Sequence, residues 1–224
     1  MNYKRNWLQK MDNKYGRLAI HNLMNIIVIG MIIVYVMNLV LATAKDSSFL
    51  MLFVFDRGAI FSGQIWRLIS FIFIPPDSSI LFIIMSLYFY WLMGSAMDAE
   101  WGSFKFNVFY FCGVFGTVIA GLITGYATNN YLNMSLFLAF AALFPEFRVN
   151  LFFILPVKVK YLAYADAVFL LIMFIFVNWQ GKTALAVALL NLLLFFWNDF
   201  LDGIKRMIRK AKWRKNARRT GWRG

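Results

Sequence analysis

Apolar runs of helical length, separated by short polar breaks, make up most of this chain. The first long run is about Asn22–Thr43, and later ones are about Ile80–Met97, Phe106–Tyr126, Tyr161–Val177 and Lys182–Phe200. Each falls in the range of roughly 17–25 residues that carries a helix across hydrocarbon. A further run, Tyr131–Phe144, is shorter, about 14 residues or about 21 Å of helix against a core of about 30 Å. It must start below the membrane surface or lie among longer neighbours. Pro145 ends it, and "PEFRVNLFFILPVKVK" follows as an interfacial piece. The pattern predicts six spans in an all-α polytopic membrane protein.

The stretch Phe49–Pro76 breaks the pattern. Its apolar patches, Phe49–Phe55 and Ile65–Ile74, are interrupted by Asp56, Arg57, Arg67 and the prolines. A re-entrant or interfacial loop is predicted here, because irregular backbone is tolerated at membrane depth only where protein or water covers it. "DAEWGSFK" and "ATNN" read as polar turns on either side of the third span.

Composition agrees with lipid as solvent. Of 224 residues, 62% are hydrophobic, with 25 Phe, 8 Trp and 10 Tyr. Soluble domains hold about 45–50% apolar residues. The single cysteine, Cys112, cannot form an intramolecular disulfide and leaves the redox compartment open. The first 20 residues lack the apolar core of a signal peptide, so the whole chain is expected to be mature protein.

Net charge is +13 and unevenly spread. Six spans put both termini on one side. Of the 23 lysines and arginines, only Lys45, Arg57, Arg67 and Lys182 then fall on the other side. The positive-inside rule makes the basic side cytoplasmic. The chain divides into an amphipathic cytoplasmic N-terminus (1–19), a membrane domain (20–202) and a basic cytoplasmic tail (203–224). In the tail, Ile204, Met207, Ile208 and Ala211 recur at helical spacing. Lys205, Arg206, Arg209 and Lys210 flank that stripe, and Trp213 can anchor it. This suits an amphipathic helix on anionic headgroups of the inner leaflet. RNA or ribosome contact is the runner-up, and a membrane span so close favours lipid, so no nucleic-acid partner is expected. A plainer stripe of Trp7, Leu8, Met11, Tyr15 and Leu18 marks the N-terminus.

The element "GQIWRL", at Trp66 and Arg67, resembles the Trp-Arg element of the rhomboid superfamily. In that family it also lies in the long loop between the first two spans. "QIWRLISF" is closest to the Derlins, the pseudoprotease branch. A second likeness is Asp98 four residues before Gly102, followed by Phe106, Tyr110, Gly113 and Gly121. The resemblance covers about Ile20–Phe200 and is strongest in the first three spans. It implies a six-helix rhomboid-like bundle with an interfacial first loop. There Arg67 would tie up loop carbonyls, Trp66 would seat the loop, and Asp98 would cap the turn at Gly102.

The chain departs from the family where the chemistry would be. Active rhomboids carry Gly-x-Ser-Gly at the start of the fourth span and a histidine on the sixth. Here no glycine lies between Gly125 and Gly181, and the one histidine is His21. Ser135, the only serine of the fourth span, lacks a base, and a serine without a base is a poor nucleophile. Its expected role is a bond back to its own helix. His21 has no companions for a metal site, and no cofactor is implied. Asn191, in mid-span, is expected to bond a neighbouring helix.

The resemblance therefore implies a catalytically inactive protein that binds transmembrane segments of client proteins and alters their stability or traffic. It would sit in the plasma membrane of a prokaryote. An intramembrane serine protease with a degenerate site at Ser135 is the alternative. A small-solute transporter is a second alternative, for which Asp166 near the start of the fifth span is the one intramembrane charge.

Overall fold

The computed structural model describes residues 7–43, 49–76, 79–151 and 155–196. The tail residues Lys205, Arg206, Arg209, Lys210 and Trp213 lie outside the described residues.

A short helix α1 (Trp7–Tyr15) leads through a 3-10 turn (Gly16–Leu18) to α2 (Leu23–Thr43). Asn22 opens α2 with φ 55°, a left-handed conformation that asparagine accepts more readily than most residues. The bundle continues with α5 (Ile80–Trp101), α6 (Ser103–Thr124), α7 (Asn130–Leu143), α8 (Val159–Phe176) and α9 (Trp179–Phe196). Between α2 and α5 lie β1 (Phe55–Asp56), α3 (Arg57–Phe61), α4 (Arg67–Ser70) and a 3-10 turn (Phe71–Phe73). β2 (Tyr126–Ala127) pairs with β1. β3 (Arg148–Leu151) and β4 (Leu155–Lys158) form an antiparallel hairpin between α7 and α8.

Five helices, α2, α5, α6, α8 and α9, are long and apolar enough to cross a membrane, and α7 is a shorter apolar helix. The chain is an all-α polytopic membrane protein. Apolar side chains cover much of its outside, as on α8, where Leu171, Ile175 and Phe176 are exposed. In lipid that exposure carries no hydrophobic penalty, so α8 needs only one inward stripe. Val159 and Leu170 are its buried residues.

The interior core is built from α2, α5, α6 and α7. Met24, Met31, Met93, Met97, Phe106, Phe109, Leu136 and Phe140 are almost fully buried there. Close approach uses small residues. A Cβ on Gly94 would lie 2.3 Å from the Met24 side chain, so α2 and α5 touch at that glycine. A Cβ on Gly113 would lie 2.5 Å from Leu132 and 2.9 Å from Asn191, so α7 and α9 both close on α6 there. The expected bond of Asn191 is present: its Nδ2 donates to the Phe109 carbonyl of α6 at 3.2 Å.

One expectation needs correction. "DAEWGSFK" is not a polar turn outside the helices. α5 runs through Asp98 and Glu100 to Trp101, Gly102 alone breaks the helix, and α6 starts at Ser103. Met97-Asp-Ala-Glu-Trp contains no helix breaker, and Gly102, at φ 82° and ψ 149°, turns the chain without a Cβ to clash. The segment after Pro145, for which only an interfacial position was expected, takes the form of a β-hairpin. The β-branched pair Val149–Val157 stands opposed within it, and Pro156, with no N–H to give, sits on a two-stranded edge.

Candidate functional site: a clamped first loop

The Trp-Arg element lies at the centre of a set of side-chain bonds that hold the first loop. Arg67 begins α4 and is 8% exposed, so its charge needs partners. Nη1 donates to the Val54 carbonyl at 2.8 Å and to the Met51 carbonyl. Nε donates to Gln64 Oε1 at 2.6 Å, which fixes the plane of the guanidinium. One turn on, Ser70 Oγ donates to the Phe53 carbonyl at 3.0 Å. Trp66 Nε1 donates to the Leu52 carbonyl at 3.2 Å, while the residue as a whole stays 54% exposed. That combination of one bonded end and one bare face suits an indole at a membrane interface. Four successive carbonyls, 51 to 54, are thus satisfied by Trp66, Arg67 and Ser70, where the backbone makes no regular ladder. The carbonyl-tying role expected for Arg67 is what the geometry contains.

Two further side chains join this loop to α6 and α7, and the sequence did not point to their partners. Asn129 Nδ2 donates to the Ile72 and Ile74 carbonyls at 3.2 and 2.8 Å, just before Pro75 and Pro76. Arg57 Nη1 donates to Leu122 and Ile123, at 3.2 and 3.4 Å. Those carbonyls end α6, where Gly125 turns the chain with φ 95°. Asp56 caps α3 through Oδ1, which accepts from Ala59 N at 2.8 Å. Only the cap leaves a readable signal, an aspartate before a short helical run. The carbonyl partners of Asn129 and Arg57 are remote in sequence. Phe55 is fully buried against Phe71, ring centroids 6.0 Å apart. It also lies over Gly121, where a Cβ would come within 2.7 Å of the ring.

Asp98 does not cap the turn at Gly102. Its Oδ1 is buried without a hydrogen-bond partner, and it is the Asp98 backbone carbonyl that accepts from Gly102 N at 2.9 Å. The side chain belongs to the last turn of α5, where it cannot reach the free amides that open α6. It is therefore separate from the clamp at Trp66 and Arg67. The tail residues fall outside the described region, so no geometry joins them to either.

Ser135, on α7, is buried and donates to the Leu132 carbonyl of its own helix at 2.8 Å, as its apolar surroundings predict. His21 lies exposed at the turn before α2. Among the described residues, no group of three or more His, Cys, Asp or Glu is placed to hold a metal ion. Asp166 is the one acidic residue of α8, and its Oδ2 is buried without a hydrogen-bond partner.

The chain matches no known protein family and no curated protein.

Proposed function

We propose that this is a six-span rhomboid-like membrane protein without proteolytic activity. In this reading it binds transmembrane segments of client proteins and changes their stability or traffic. The observation that carries the reading is the arginine clamp. The element by which the sequence resembles rhomboids is also the element that satisfies four loop carbonyls and pins the loop beside α6 and α7. The bond from Ser135 to its own helix supports the lack of proteolysis, since that hydroxyl has no base beside it in the sequence of its neighbours. The short α7 supports a local thinning of the bilayer, which lowers the cost of moving a client helix. Charge asymmetry supports cytoplasmic termini and the plasma membrane of a prokaryote, with the basic tail on anionic headgroups.

Photo-crosslinkers placed at Ile65 and Tyr131 test client binding. Capture of membrane proteins is expected, and capture of lipid alone would defeat it. A serine-reactive probe tests inactivity: labelling of the wild type that vanishes in Ser135→Ala would establish a protease instead. Asp166 is the observation that favours a transporter. Solute flux in reconstituted vesicles, lost in Asp166→Asn, would move the reading there.

A further inference from the structure

The hairpin between α7 and α8 carries a charge arrangement that its own fold does not balance. Arg148 and Lys158 are direct cross-strand partners, and direct partners share a face. The opposite face carries the Val149–Val157 pair, and Val149 packs against the core. Like charges directly opposed work against a hairpin in water. Among the described residues, the acid paired with these cations is Glu146, already shared by Lys158 Nζ at 2.6 Å and Lys160 Nζ at 2.5 Å. Arg148 is exposed and has no acidic partner among the described residues. Three cations thus face one carboxylate.

The surroundings identify what supplies the missing negative charge. Lys158 directly precedes Val159, the first residue of membrane-crossing α8, so the patch sits at headgroup level. Tyr161 and Tyr164, on the first two turns of α8, are 58% and 68% exposed, and Lys160 Nζ stands 5.4 Å from the Tyr161 ring centre. Exposed tyrosines beside cations at the start of a span mark the zone where phosphates and acyl chains meet. We propose that Arg148 and Lys158 bind the phosphate of an anionic phospholipid, with Tyr161 and Tyr164 against the adjoining acyl region. The lipid anion neutralises the cross-strand pair and holds the hairpin closed. This site stands apart from the clamped loop and does not depend on client binding.

Hydrogen exchange of the hairpin amides of Val149 and Val157 tests it on full-length protein in nanodiscs. The discs are made of phosphatidylcholine alone or of phosphatidylcholine mixed with phosphatidylglycerol. Wild-type protection should rise about fivefold for each cation engaged in the mixed discs, the effect of a basic residue at an anionic surface. Arg148→Gln should reverse the sign of its effect between the two. It should protect the hairpin in neutral discs, where it removes a repulsion, and deprotect it in mixed discs, where it removes a lipid contact. A hairpin indifferent to phosphatidylglycerol would overturn the proposal. So would an effect that survives Arg148→Gln but disappears in Arg209→Gln/Lys210→Gln, which would assign it to the tail. Full protection in neutral discs on adding inorganic phosphate would make the site a soluble-anion site and overturn the lipid assignment.

Discussion

At the residue scale the strongest commitments are made by side chains that satisfy backbone groups. Arg67 serves two carbonyls and Gln64 at once from a nearly buried position. Hydrogen bonds to a charged group are worth about 1.5–3 kcal/mol each, and removing one partner leaves the others desolvated. Arg67→Gln should therefore cost about 3 kcal/mol in an unfolding titration with sodium dodecyl sulfate and raise hydrogen exchange around residues 51–54. Trp66→Phe keeps the ring but loses one neutral bond and should cost about 1 kcal/mol. Equal, small effects for both would mean that the loop is held by packing on Phe55 and Phe71 instead. Glu146 allows a second check. Its two lysine partners hold its carboxyl down from the ordinary 4.5 to about 2. A depressed carboxylate stabilises the fold fully above its unfolded pKa, and that contribution fades as pH falls from about 4.5 towards 2. Hairpin protection should follow this window, and Glu146→Gln should abolish the pH dependence. The pair is exposed, so the change should be local, with no loss of the bundle.

At the element scale the apolar runs located every long helix, because in lipid the length and hydrophobicity of a run are themselves the constraint. The ends were harder. α5 overran its apolar run by four residues, since Asp98 and Glu100 are compatible with helix and no breaker precedes Gly102. The hairpin was hidden because apolar residues in a short segment do not distinguish strand from interfacial coil. The clamp was half legible. Trp66 and Arg67 stood out as polar groups in an apolar stretch, but Asn129 reaches back 57 residues to Ile72, and no local pattern encodes such a pair. Tight helix contacts were legible as small residues but not as to which one matters. Gly113 is the one that meets two helices, through Leu132 and Asn191. Gly113→Ala should push both away and strain the Asn191–Phe109 bond, at a cost of about 1–3 kcal/mol. Gly113→Ala made in an Asn191→Leu background should add little of the bond term. A fully additive double mutant would separate the two contacts.

At the scale of the whole molecule the contacts fix the relative direction of the five long helices and the shorter α7. Asn107, near the start of α6, donates to the Ile20 carbonyl before α2 at 3.1 Å, so these two helices begin at the same end. Trp101, at the end of α5, meets Phe196, at the end of α9, with ring centres 5.2 Å apart. α9 therefore finishes at that end too. At the other end, Asn129 before α7 bonds the first loop, and Tyr131 lies beside Gly181 in the first turn of α9. α7 and α9 thus run in the same sense, and α8, joined to α9 through Val177 and Asn178 alone, runs against both. The helices alternate, and the first and last of them open and close on one face of the bundle. In that arrangement α7 returns the chain from one end of the bundle to the other. Its 14 residues make about 21 Å, short of a hydrocarbon core of about 30 Å. If it crosses, the bilayer thins there or the clamped loop covers the gap, and six crossings put both termini on one side. An arrangement in which it does not would have five crossings and termini on opposite sides, at odds with the Trp101–Phe196 and Asn107–Ile20 contacts. Epitope tags at the two ends, digested in sealed inside-out vesicles, distinguish these cases directly. Both tags should be cut together, and both should be protected in right-side-out vesicles. One tag cut and one protected in the same vesicles would remove the sixth crossing, and with it the rhomboid-like plan.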